Sequence, residues 1–338
     1  MNYCQVIRLI PWSNSITRTK EELLNNLSIA GNHHQYILSP QKRNRDTLTA
    51  LFFLIPTLVF FFIFIIYPII QSLYYSFFNW KGFGPAVNFV GFRNYEKILT
   101  DSVFAKAVAN GLLIVVLSLI VQLPISIALA IMVRNDMPGR SFFRTIFFMP
   151  FVFSESIAGI IWVSMFKPDP SIGFLNAIWT LIPGVKPLEF LGDTNQVMMC
   201  VFIALTWKYL GFHMLLYMAG LANIPREIEE AAIIDGANNW QIIRNVTLPL
   251  LGTTIRTSVY LSVLGSLQQF GLIWIMSKGG PVNASETMAI YMYRFGFIRL
   301  ALGYGCAVGV ILLLICLIFS VSYQRLVKQQ DYLGGLYS

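Results

Sequence analysis

Two ionisable residues stand inside long apolar runs: Glu155 in Phe151-Val152-Phe153-Ser154-Glu155-Ser156 and Lys208 in Trp207-Lys208-Tyr209-Leu210-Gly211-Phe212. A charge at the centre of a bilayer costs roughly 3 kcal/mol on insertion scales, so such residues mark a transport path or pair with one another or with a partner subunit. A third apolar run carries Ser266, Gln268 and Gln269. Polar residues of this kind commonly hydrogen-bond between helices. Beside the flat faces of Phe151, Trp207, Tyr209 and Phe212 they also supply what a sugar needs, aromatic stacking next to hydroxyl-binding Glu, Gln and Ser. The chemistry is recognition, not bond-making. No His, Cys or Ser constellation has catalytic spacing: His213 stands alone in its run, and His33-His34 is an isolated pair in a polar stretch. Cys4, Cys200, Cys306 and Cys316 lack C-x-x-C or zinc spacing, so no metal site is expected. No G-x-x-x-x-G-K-[ST] phosphate loop occurs, so if ATP drives this protein another chain binds it.

These residues need membrane-spanning helices to position them. Of the 338 residues 56% are hydrophobic and only 12% charged, and the mean hydropathy is +0.64; soluble domains carry about 25% charged residues. The pattern predicts an all-α polytopic membrane protein with six transmembrane helices, over about 48–77, 107–133, 143–166, 197–222, 250–276 and 303–323. Residues 1–46 read as a cytoplasmic tail, expected to be disordered, 47–324 as the transmembrane domain, and 325–338 as a C-terminal tail. The net charge of +8 implies no nucleic acid. The basic short segments, among them the Arg134–Arg144 stretch, fall on the side where an even number of crossings puts both termini, which the positive-inside rule makes cytoplasmic.

Between the fourth and fifth spans lies a polar loop, 223–249. Pro225 suits a first helical turn and Asn223 an N-cap, while Glu227, Glu229 and Glu230 suit the positive end of the helix dipole. Asp235-Gly236 reads as the stop, since Gly adopts the left-handed conformation without penalty. Asn238 or Asn239 caps a second short helix, and Leu248-Pro249 opens the next span. Ala231 and Ala232 are small enough for another surface to approach.

The spacing Glu230-Ala231-Ala232, three residues, Gly236, nine residues, Val246, one residue, Leu248-Pro249 resembles the signature loop of ABC importer permeases, with Val246 where that family prefers Ile. From about residue 48 onward the chain is similar to the carbohydrate-type, maltose and multiple-sugar permeases; Phe89–Tyr95 and Gly279-Gly280-Pro281 are also family-like. The resemblance implies the type I ABC importer permease fold. It makes Glu230, Ala231, Ala232, Asp235, Gly236, Leu248 and Pro249 the contacts with an ATPase, and Phe151, Glu155, Lys208, Tyr209, Phe212, Ser266, Gln268 and Gln269 the substrate path. The implied partners are a second homologous permease, most simply in a heterodimer, a dimer of ATPase subunits that binds ATP and Mg, and an extracytoplasmic solute-binding protein. No cofactor is expected on this chain. The location implied is a bacterial or archaeal cytoplasmic (inner) membrane, and the cargo a sugar or oligosaccharide. An importer of glycerol phosphate or an acidic sugar, with Lys208 as anion partner, is the alternative. An ion-coupled secondary transporter would need no ATPase.

Overall fold

The computed structural model of the chain describes residues 52–134 and 139–334. The expected tail over 1–46 and the first residues of the first span lie outside them. The chain divides into two compact units, Met1–Pro68 and Ile69–Ser338. The described part of the first is helical and apolar, with Phe60 stacked on Phe64 at 5.9 Å.

Helix α1 (Phe52–Tyr75) runs across that division, and α2 (Ser102–Arg134) follows. Asp101 caps α2, its side chain accepting from the Val103 N–H. A π-helical turn, Ser118–Gln122, interrupts α2. The next crossing is broken: α3 (Arg140–Val152) and α4 (Glu155–Met165) meet at 100°. Helix α5 (Val197–Ala222) is continuous, and α6 (Arg226–Ile234) sits in the polar loop. The fifth crossing is also broken, with α7 (Gly252–Leu267) and α8 (Gly271–Ser277) meeting at 43°. The buried α9 (Met288–Tyr293) precedes α10 (Leu302–Gly334). If each bent pair is one crossing, the described residues hold six.

The continuous third span expected over 143–166 is therefore corrected. Pro150 removes one backbone donor from α3, Phe153 is extended (ψ 141°), and the Ser154 side chain accepts from the Ile157 N–H as an N-cap. Glu155 thus opens a helix rather than lying mid-span. The fifth span also breaks, at Gln268–Phe270, there without a proline or a side-chain N-cap. The stretches expected to be plain loops contain short helices, Arg93–Thr100 and Phe174–Trp179 among them. α10 runs on through residues expected to form the C-terminal tail.

Helix α5 is the axis of the second unit. It packs against the second half of α2 and against α3, while the half-helices α4 and α8 pack on each other. Two glycines permit this: a Cβ on Gly211 would lie 1.9 Å from the Phe147 carbonyl oxygen, and one on Gly159 2.6 Å from Ile275. Small residues let helix backbones approach closely inside a bilayer, where lipid supplies no hydrophobic drive for helices to associate. Gly211→Val is expected to destabilise the fold by more than the roughly 1–3 kcal/mol of an over-packed core, because the clash is with backbone. Gly252→Ala, whose Cβ would meet nothing closer than 3.8 Å, should be neutral. Thermal unfolding of the detergent-solubilised chain reads both, and equal melting of the two variants would contradict this packing.

Candidate functional site

A helix that breaks inside a membrane exposes backbone groups that no water satisfies. At the break between α3 and α4 the Lys208 ammonium, from the middle of α5, donates to the carbonyls of Phe153 and, at 3.4 Å, Phe151. A cation there faces the negative end of the α3 dipole. The Glu155 carboxylate accepts from the Tyr209 hydroxyl at 2.9 Å, and its other oxygen lies against Gly271, the first residue of α8. An anion at that end faces the positive pole of α8. Glu155 and Lys208 thus serve helix ends separately, and no ion pair joins them. At the second break the Thr287 hydroxyl donates to the Gln269 carbonyl at 3.0 Å. Asn110 of α2 holds the adjoining loop by donating to the carbonyls of Ala284 and Glu286.

Beside the two breaks lies a cavity of about 230 Å³. Five residues expected on the substrate path line it: Phe151, Tyr209, Phe212, Ser266 and Gln269. Phe151 and Phe212 stack at 4.9 Å, forming one flat wall. The Gln269 side-chain nitrogen is buried without a hydrogen-bond partner, leaving a donor available. Glu155 and Lys208 are outside the lining, and Gln268 turns to the opposite side of α7, where it donates to the Cys316 sulfur at 3.5 Å. The lining also holds Ser118, Gln122, His213 and Ser262, which sequence reasoning did not place there. Their signal was available: Ser118 and Gln122 are four apart in an apolar run, as are Ser262 and Ser266, and residues four apart share a helix face. The π turn at Ser118–Gln122 aims the first pair, and such turns recur at functional sites. His213 is hydrogen-bonded to Ser258 at 2.8 Å.

The polar loop folds as helix, turn, helix. Gly236 has φ +83°, the left-handed stop expected of it. Asn238 and Gln241 form a capping box at the start of Asn239–Ile242. Two local expectations differ: Asn223 is the C-cap of α5, and Pro225 is the N-cap of α6, one residue before its first turn. Glu230, Ala231, Asp235 and Gly236 are exposed, together with Ile233, Ile234 and Trp240, while Ala232 is half-buried. Pro249 is exposed and Leu248 half-buried where the chain re-enters the bundle. The carboxylate that binds inward is that of Glu229. It accepts from Arg134, at the end of α2, at 2.6 Å and from Thr247 at 3.0 Å.

Residues 122–331 match the family described as binding-protein-dependent transport system inner membrane component. The chain is 33% identical to an sn-glycerol-3-phosphate transport system permease protein of Agrobacterium fabrum, over 83% of this chain and 94% of that one. It is 31% identical to a diacetylchitobiose uptake system permease protein of Streptomyces coelicolor, over 82% and 81%. Among solved structures it resembles a chain of a bacterial ABC transporter that imports the acidic polysaccharide alginate. The TM-score is 0.75, with 25% identity, covering 86% of this chain and 98% of that one.

Lys208→Met should leave the Phe151 and Phe153 carbonyls without their donor, at about 1–3 kcal/mol. A lower melting temperature of the purified chain, with Lys208→Arg less affected, is the expected result. An unshifted Lys208→Met would remove the ammonium from this role.

Proposed function

This chain belongs to the family of binding-protein-dependent transport system inner membrane components and is a multi-pass permease subunit of an ABC importer; from that premise we propose that it carries an uncharged sugar or small oligosaccharide into the cytoplasm. The observation that carries the proposal is the cavity lining. It offers hydroxyls, amides and stacked aromatic faces, with an unpartnered Gln269 donor and, among the described residues, no Asp, Glu, Lys or Arg. Sugars are bound by this combination, whereas an anion would arrive without a counter-charge. The diacetylchitobiose relative points the same way. The glycerol-phosphate relative favours the second reading, in which Lys208 would have to turn from its carbonyls into the cavity.

The chain itself makes and breaks no bond. ATP and Mg are bound by two ATPase subunits, which dock on the loop 223–249 through Glu230, Ala231, Ala232, Asp235 and Gly236. Leu248 and Pro249 fix that loop to α7. The exposed Ile233, Ile234 and Trp240 suit such a docking face, since clustered apolar side chains outside the bilayer mark a protein interface. A second homologous permease completes the membrane part, and an extracytoplasmic binding protein delivers the sugar. Both termini face the cytoplasm, a reading supported by an even number of crossings, six if each bent pair is one, and by the basic segments Arg134–Arg144 and Arg226–Arg244. Closure of the ATPase pair carries α6 with it, and the spans tilt to open the cavity to one side and then the other.

A Cβ on Gly236 would meet nothing within 4 Å, so a substitution there strains the turn at φ +83° locally without a clash in the packing of the bundle. Gly236→Asp is expected to abolish uptake while the amount of protein in the membrane stays near the native level. If immunoblotting shows the protein lost as well, Gly236 serves folding. The cargo is tested by ATP hydrolysis of the reconstituted transporter with its binding protein. Stimulation by a neutral saccharide, with none by glycerol phosphate or uronates, is expected. The reverse pattern would overturn the uncharged-cargo reading.

A further inference from the structure

The segment between α4 and α5, residues 167–196, is built more tightly than a plain connection needs to be. Its organiser is Asn176, which is fully buried. The Asn176 amide donates to the carbonyls of Lys167, Pro168 and Leu188 at 3.1, 3.0 and 2.8 Å, and its oxygen accepts from the Leu188 N–H at 2.9 Å. One side chain thus ties both feet of the loop to the short helix Phe174–Trp179. Gly173 lets that helix start against the first foot, since a Cβ there would overlap the Lys167 carbonyl oxygen. The rings of Phe166 and Phe190 meet at 5.2 Å, and Leu175 packs onto the core.

The outer face of this loop is apolar. No residue from Pro170 to Val185 is charged. Ile172, Phe174, Ile178, Trp179, Leu181 and Ile182 are all exposed, Leu181 by 78%. Clustered apolar side chains held outward by a rigid loop mark an interface. The path of the chain says with what. Lys167 stands two residues beyond Met165, the end of α4, and Val197 begins α5, a helix of 26 residues whose other end enters the loop 223–249. The feet of the loop are therefore held at the opposite boundary of the bilayer, where lipid is within reach of the apolar face. An uncharged stretch of this length is too short to cross. Trp179 is of the type that settles at headgroup level, and Lys167 and Lys186, on either side of the apolar run, can extend their ammonium groups to water. The bonds of Asn176 serve the same end, because an element in a partly dehydrated layer has to satisfy its backbone from within.

We propose that residues 170–185 form an interfacial anchor in the leaflet opposite the loop 223–249, with Phe174, Ile178, Leu181 and Ile182 entering the upper acyl chains. Its partner is the lipid surface itself. The anchor fixes the depth of the ends of α4 and α5 that lie away from the polar loop. It requires only the membrane-spanning fold and is independent of the cargo.

The test places the assembled transporter in phosphatidylcholine nanodiscs that contain a photoreactive phosphatidylcholine. The diazirine sits either near the headgroup or at the end of the acyl chain, and labelled residues are mapped by peptide mass spectrometry. Residues 172–182 are expected to be labelled by the headgroup-proximal probe and not by the chain-end probe, whereas the spans take both. Ile178→Asp/Leu181→Asp should reduce that labelling by about tenfold, the weakening that roughly 1.4 kcal/mol of lost insertion produces. Its melting in detergent should match the native protein, because both side chains are exposed. Labelling of the Asp variant equal to the native level would overturn the proposal. If that variant fails to fold, the native pattern decides. A loop labelled by neither probe stands clear of the lipid, and one labelled equally by both is a re-entrant segment; either result overturns the anchor. Labelling that vanishes when the binding protein is added would also overturn it, in favour of a protein-docking face. Labelling unchanged by the binding protein supports the lipid surface as the partner.

Discussion

Every backbone polar group at membrane depth must find a partner inside the protein, and this chain breaks two of its crossings. The structure depends on how the freed groups are answered. Lys208 closes the end of α3, Ser154 caps α4, Glu155 meets the start of α8, and Thr287 takes up the carbonyl of Gln269. The 100° bend can exist only because α5 delivers an ammonium to the place where the carbonyls are left over. Once both spans bend, the half-helices α4 and α8 pack on each other, and room for the cavity remains beside the joint.

The same requirement explains the electrostatics. The two charges in the apolar runs are engaged with helix ends and a tyrosine hydroxyl, and neither lines the cavity. Its polarity comes from neutral groups on three helices, the π turn of α2, α5 and α7. In the polar loop 223–249 the charges are arranged otherwise. Glu229 draws together the end of α2 and the Thr247 turn beneath α7, so α6 is fastened to two crossings by one carboxylate.

Much of this was legible in the sequence, and the exceptions have physical causes. Six crossings followed from hydropathy, and the left-handed turn at Gly236 from the Asp-Gly stop. Hydropathy averages over a window and cannot show a bend, so α3 and α4 read as one span. Yet Pro150 followed by Ser154-Glu155 carries the signature of a helix interrupted and restarted. Glu155 and Lys208 were recognisable as unusual because charge in an apolar run is costly, but which atoms they serve depends on the bend. Ser118 and Gln122 escaped notice because a serine and a glutamine are common in membrane helices; their spacing and the π turn set them apart only together. Glu229 and Glu230 are adjacent in sequence and differ by helical phase, which only the position of Arg134 resolves.

Assigning the ionic groups to the joints and the neutral groups to the cavity also separates two kinds of evolutionary freedom. Replacing Glu155 or Lys208 would disturb the architecture whatever the cargo. Ser118, Gln122, Ser262 and Ser266 can change without touching either joint. On the proposed reading of the cavity, a lineage built on this scaffold can wander in cargo while its joints stay fixed, and adaptation to a new nutrient requires no redesign of the bends that hold the bundle together.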